Sequence, residues 1–254
     1  MQKRGQLALF LIIGIAIIIL TALALSLNKV ISNKALFLID VKEVDNYIKV
    51  CGEYITEETL NYIYLYGGYT TVNEIPKSKD DVACLVYKEG SLYKNKLPAT
   101  NGYKDFLENE ISEQLKLNLP SCLNLQEKFN EYNINAKSLQ VNVDMPSYNQ
   151  DSLKVYIIYP IEIEKGNIKE QLSTFNIRYK SSLNNIYKYV NIISGEEAGS
   201  LNNNQGFTNN RCDTIIEGIQ IKCIDAIDLR KYNLIDPINQ KEFSFGVCRW
   251  KKGG

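Results

Sequence analysis

An α+β fold is predicted for this chain: a single N-terminal transmembrane helix, then a helical hairpin layer packed on a mostly antiparallel β-sheet. Three observations predict it. Residues 7–27 form 21 consecutive positions without a charge. Apolar residues next recur at three- and four-residue steps in two segments between residues 44 and 115. From residue 139 the apolar period falls to two, the spacing of strands.

The first block, LALFLIIGIAIIILTALALSL, holds fourteen Leu, Ile or Phe. As a helix it would extend about 31 Å at roughly 1.5 Å per residue, the depth of a bilayer core. Lys3 and Arg4 precede it, so the positive-inside tendency places the N-terminus in the cytoplasm. The lipid bilayer is then the expected partner of residues 7–27. The expected location is the cell membrane, crossed once, with the C-terminal domain extracellular. Residues 1–6 read as a cytoplasmic leader, 28–42 as an anchor-proximal stretch and 43–254 as the extracytoplasmic α+β domain.

Within that domain, Val44, Tyr47, Ile48, Cys51, Ile55, Leu60 and Ile63 form one helical face. Gly67-Gly68 supplies its stop. Val82, Cys84 and Val86 alternate as in a strand, and residues 89–101 read as a loop. Tyr103, Phe106, Leu107, Ile111 and Leu115 mark a second helix ending before Pro120, with a short third helix over 123–129. Alternation over 139–145, 153–163 and 175–179 predicts an antiparallel meander, in which Pro160 needs an edge or a break. Leu183 to Ile193 return to helical spacing, 195–211 read as a polar loop, and strands follow near 219–223 and 243–247.

The start Met1-Gln2-Lys3-Arg4-Gly5-Gln6, followed directly by the apolar run, resembles the class III signal peptide of archaeal type IV pilin-like proteins. The resemblance implies cleavage after Gly5 by a prepilin-type peptidase, with Lys3, Arg4, Gly5 and Gln6 as the processing residues. It also implies lateral assembly of the apolar helix into a homo-oligomer or filament. The Y-I-K-V-C helix start, the L-Y-G-G-Y stop, the P-S-C-L step and the closing E-F-S-F-G-V-C-R-W run look like a group of uncharacterised membrane-anchored surface proteins from small-genome archaea. That second resemblance implies location and architecture alone.

Composition excludes more than it selects. Lys+Arg and Asp+Glu both number 29, so no basic footprint for nucleic acid exists. With no His in the chain, Ser-His-Asp and Cys-His catalysis and His-ligated metals are ruled out. No two Cys stand two to four apart, which argues against zinc and against thioredoxin-like exchange. No metal and no cofactor is expected. The six Cys (Cys51, Cys84, Cys122, Cys212, Cys223 and Cys248) read as a disulfide framework in an oxidising compartment, with 15 connectivities open. Antiparallel packing of the first two helices would bring Cys51 and Cys122 together, the first pair expected.

Catalytic patterns are sparse. Ser91-Leu-Tyr-Lys94 fits S-x-x-K without its companion motifs. The acidic pairs Glu57-Glu58 and Glu196-Glu197 read as solvated charge, because adjacent side chains diverge. Tyr is abundant, 17 residues, and Tyr66 and Tyr69 are candidates for an exposed interaction patch. The expected function is therefore a membrane-anchored, pilin-like structural or interaction subunit without catalytic activity. The alternatives are an unprocessed anchored binding module, such as an adhesin or an envelope- or solute-binding domain, and then a carboxylate-dependent ectohydrolase.

Overall fold

The computed structural model describes residues 3–70, 82–89, 91–96, 103–145, 152–203, 205–208 and 211–251, without the side chains of 3–18, 22, 24–35, 39, 103, 250 and 251. In chain order the elements are α1 (Lys3–Leu65), β1 (Cys84–Glu89), β2 (Leu92–Asn95), α2 (Tyr103–Cys122), α3 (Leu125–Lys128), β3 (Asn133–Ala136) and β4 (Gln140–Asp144). They continue with β5 (Ser152–Lys165), β6 (Ile168–Lys180), α4 (Leu183–Asn202), β7 (Thr214–Ile216), β8 (Ile219–Asp225), β9 (Leu229–Ile235) and β10 (Glu242–Lys251). The chain divides into two compact units.

Unit 1 comprises residues 1–47, 125–136 and 161–172. Its buried apolar residues, Phe37, Val41, Val44, Leu125, Tyr132, Ile161 and Ile163, come from all three segments. Strand β3 pairs antiparallel with the end of β5, Asn133 facing Glu164 and Ala136 facing Ile161. Two aromatic pairs finish this core: Phe37 with Tyr132 at 6.3 Å and Tyr47 edge-on to Phe129 at 5.6 Å between ring centroids. Lys165 then closes one side, 4.5 Å over the Tyr132 ring and 2.8 Å from Glu131.

Unit 2 comprises residues 48–124, 137–160 and 173–254. Its larger sheet runs β2-β1-β10-β9-β8-β7. Strand β1 lies parallel to β10, and the other pairings in that sheet are antiparallel. A smaller antiparallel ladder joins β4 to β5, Gln140 facing Ile158 and Asp144 facing Lys154. Ile48, Ile55, Leu60 and Ile63 of α1 are buried in this unit. The helix comes so close to the smaller ladder that a Cβ on Gly52 would sit 2.5 Å from Ile177 Cδ1 and 2.7 Å from Ile157 Cδ1. At its C-terminus, Gly68 N–H donates to the Ile63 carbonyl at 2.8 Å, and Gly67 and Gly68 take φ of 64° and 100°. This is the left-handed stop that glycine permits.

The expected α+β mixture is present, but four features of the prediction need correction. Among the described residues no helix is long and apolar enough to cross a membrane. The single N-terminal transmembrane helix, the bilayer as its partner and the single-pass cell-membrane location are therefore not retained. Residues 7–27 do not form an element of their own. They lie in a helix of 63 residues that continues unbroken through Lys29, Lys34, Asp40 and Lys42, so residues 28–42 belong to the same helix.

The second correction is that α2 carries Pro120 inside its last turn instead of ending before it. Third, α4 extends through Asn202, into the expected polar loop. Fourth, strands β2, β3, β7 and β9 were not predicted. Pro160 finds the break it requires. The β3 ladder on β5 stops at Ile161 and the β4 ladder stops at Ile158, so Pro160 lies between two ladders. Lys137 N–H donates to the Pro160 carbonyl at 2.9 Å there.

Candidate functional site

The expected site residues separate into those the structure pairs, those it buries and those outside its described part. All six Cys are paired: Cys51–Cys122, the pair expected first, with Cα atoms 6.0 Å apart, Cys84–Cys248 at 5.7 Å and Cys212–Cys223 at 5.3 Å. All three bonds lie in unit 2. Lys3, Arg4, Gly5 and Gln6 open helix α1, and their side chains lie outside the described residues.

Tyr69 is not an exposed residue. It is buried, edge-on to Phe106 at 5.1 Å, because the chain turns inward immediately after the Gly67-Gly68 stop. Tyr66 is half-buried and stacks on exposed Tyr62 at 6.1 Å. Ser91 and Lys94 are exposed, and Lys94 meets Glu89 at 2.6 Å across the β1–β2 hairpin. That contact holds its ammonium in the charged state, the wrong state for activating a serine. Among the described residues, no group of three His, Cys, Asp or Glu is placed to hold a metal.

The pair Glu196-Glu197 departs most from its expected role. Its members diverge as the helix requires, and only Glu196 faces solvent, held by Arg211 Nε at 2.8 Å and Nη2 at 2.7 Å. These bonds keep its carboxyl below the usual carboxylate range. Glu197 is fully buried. Its place on α4, four residues after Ile193 and four before Leu201, puts it on the apolar face of the helix. That spacing was the available signal, and the polar run around it conceals it.

A complete set of donors surrounds Glu197. Thr208 supplies its N–H at 3.1 Å and its hydroxyl at 2.9 Å. The Tyr232 hydroxyl donates to the same carboxylate, and Arg230 Nη1 lies 3.4 Å away. Arg230, itself 3% exposed, donates through Nη1 to the Thr208 carbonyl and through Nε and Nη2 to Asp225, the last at 2.7 Å. Burial and the adjacent Glu197 push the Tyr232 hydroxyl well above its ordinary pKa. Asp225, paired with Arg230, is held below its own. Phe207 completes the cluster, its ring centroid 4.7 Å from the Arg230 guanidinium and 3.8 Å from that of Arg249.

A second buried carboxylate follows the same plan. Asp236 is fully buried and accepts the Tyr64 hydroxyl, Ser182 N–H at 2.9 Å and Ile238 N–H at 2.8 Å. Ser181 Oγ lies 2.9 Å from the Tyr64 hydroxyl and receives Leu183 N–H at 3.0 Å, so it also caps the start of α4. Beside it, Leu60, Met145, Leu153 and Leu183 line an apolar cavity of about 10 Å³, room for one water.

Chemically, both clusters are locks. Each carboxylate spends its lone pairs on fixed hydroxyl, amide or guanidinium donors, which leaves none aimed at a reactant. Glu197 and Arg230 fasten the segment after α4 to β9, and Asp236 fastens the β9–β10 turn to α1 and to the start of α4. No family model, no curated protein and no solved structure matches the chain.

Proposed function

We propose that this chain is a pilin-like structural or interaction subunit of an oxidising, extracytoplasmic compartment. It assembles with copies of itself through α1 and performs no catalysis. One observation carries this reading. Helix α1 leaves Ile19, Leu20 and Leu23 54%, 66% and 53% exposed, at helical neighbour spacing. Side chains of this kind each gain about 1.5–3 kcal/mol on full burial, and packing against the same helix of another copy would bury them. Three disulfides support an oxidising compartment. Cleavage between Gly5 and Gln6 by a prepilin-type peptidase belongs to the same reading, and N-terminal sequencing of the native protein tests it.

Assembly itself is tested on the full, disulfide-bonded chain by native mass spectrometry and electron microscopy. Oligomers or filaments are expected, and Leu20→Glu with Leu23→Glu should dissociate them. A chain that stays monomeric at every concentration, or assemblies indifferent to both substitutions, would sink the reading.

A further inference from the structure

Unit 2 carries two exposed surfaces of opposite character. On α1, Val50, Tyr54, Glu58 and Tyr62 follow one another at four-residue steps and Leu65 continues the row. The four apolar members of this ridge are 52–56% exposed. Such a row is unusual on a helix whose other side is already buried, since the solvent face of a helix is ordinarily polar. Glu58 in the row and Glu53 beside it are exposed carboxylates that meet no cation among the described residues.

The second surface is the outer face of the β7–β8–β9 edge. Ile215 faces Gln220, and Ile224 faces Lys231. Residues that face each other across a ladder share a side of the sheet, as do residues two apart on one strand. Ile215, Lys222, Ile224 and Lys231 therefore lie on one face. Ile215 is 71% and Ile224 58% exposed, and neither lysine meets an acid among the described residues. The nearby acid Asp225 points to the opposite face, where Arg230 holds it.

We propose that the acidic, aromatic ridge of α1 in one copy docks on the basic, aliphatic outer face of β7–β9 in the next. Two carboxylates set in apolar side chains meet two ammonium groups set in apolar side chains, so each surface supplies what the other lacks. Because the surfaces differ, the contact is heterologous, and its repetition generates a ring or a filament. The inference rests on the reading that the chain assembles with copies of itself, and it names the surfaces in unit 2 that set the register.

The test uses the full, disulfide-bonded chain with two charge reversals: Glu53→Lys with Glu58→Lys, and Lys222→Glu with Lys231→Glu. Circular dichroism and intact mass verify that each folds with three disulfides. Each reversed protein alone should associate at least about tenfold more weakly than the unmodified chain in sedimentation velocity. Their equimolar mixture should regain association, because ridge and face are complementary again between the two proteins. Added salt should weaken the unmodified assembly. Reversed proteins that associate like the unmodified chain, or a mixture that stays dissociated, would overturn the docking. If the assembly breaks with Leu20→Glu and Leu23→Glu but ignores the charge reversals, only the docking is lost. If the unmodified chain never assembles, both readings are lost.

Discussion

Unit 2 is cross-linked by three disulfides and contains two fully buried carboxylates with complete donor sets. The described residues of unit 1 contain neither feature. Unit 1 gathers an apolar core from three segments, closes it with aromatic contacts and pairs its charges at the surface, where Lys165 is 42% and Glu131 66% exposed. Exposed pairs contribute little, and aromatic contacts add about 0.5–1.5 kcal/mol each beyond their buried area. Unit 2 instead ties distant parts of the chain covalently. Cys84–Cys248 spans 164 residues and joins β1 to β10 where they run side by side. The contrast shows two ways of stabilising a fold, one that acts on the unfolded chain and one that acts on the packed core.

Removing the disulfides singly gives the largest break in that contrast. In the loop-entropy account the cost rises with the closed loop: about 5 kcal/mol for Cys84–Cys248, about 4 for Cys51–Cys122 and about 3 for Cys212–Cys223. Paired Cys→Ala substitutions followed by chemical denaturation should return that order. Amide exchange over residues 161–164 should change least, because that segment belongs to unit 1. Accessibility runs the other way. Cys84 and Cys248 are fully buried and Cys212 and Cys223 half-buried, so mild reductant should open Cys212–Cys223 first, as thiol alkylation and mass spectrometry would show. Equal sensitivity of both units to loss of Cys84–Cys248 would remove the distinction between them.

The part of this architecture that is legible in sequence is the part written in apolar spacing. Ile48, Cys51, Ile55, Leu60 and Ile63 were placed on one helical face, and all are buried. The Gly67-Gly68 stop and the Cys51–Cys122 bond follow from the same periodicity. What spacing hides is burial achieved by pairing. Strand β9 reads Leu-Arg-Lys-Tyr-Asn-Leu-Ile, too polar to announce a central strand, yet Arg230 and Asn233 are buried because Asp225, Glu197 and Ser244 satisfy them. The parallel β1–β10 pair was equally invisible, since nothing local tells one end of the chain to lie beside a strand 164 residues away.

The buried network offers a second, smaller break. Arg230→Ala would leave Glu197 with its hydroxyl and amide donors but no countercharge. Loss of one partner from a buried ion pair costs about 3–5 kcal/mol. The loss should appear as a lower denaturation midpoint with unchanged slope, together with faster amide exchange around Thr208. Adding Glu197→Gln to Arg230→Ala should recover part of it, because a neutral amide can still accept from Thr208 and Tyr232 without carrying a buried charge. If the double substitution were no better than Arg230→Ala alone, the packing of Arg230 against Phe207 would be the main contribution.

The smallest effect belongs to Glu196 and Arg211, the exposed pair one residue before the buried Glu197. Arg211 holds the Glu196 carboxyl below its ordinary pKa, chiefly through hydrogen bonds. A carboxyl whose folded pKa is depressed contributes stability that is fully present above the unfolded value. That contribution is lost as the pH falls through the folded one. Both side chains are about a third exposed, so solvent screening limits the pair to roughly 0.5–1 kcal/mol. Arg211→Gln should therefore lower unfolding free energy by that amount at neutral pH, and the gap to the unmodified chain should narrow as the pH falls below the ordinary carboxylate range and Glu196 protonates in both. The same experiment separates the adjacent residues. An acid-sensitive gap assigns Arg211 to the solvent-facing carboxylate, whereas a gap that persists in acid would mean that Arg211 stabilises the end of α4 by packing, independently of charge.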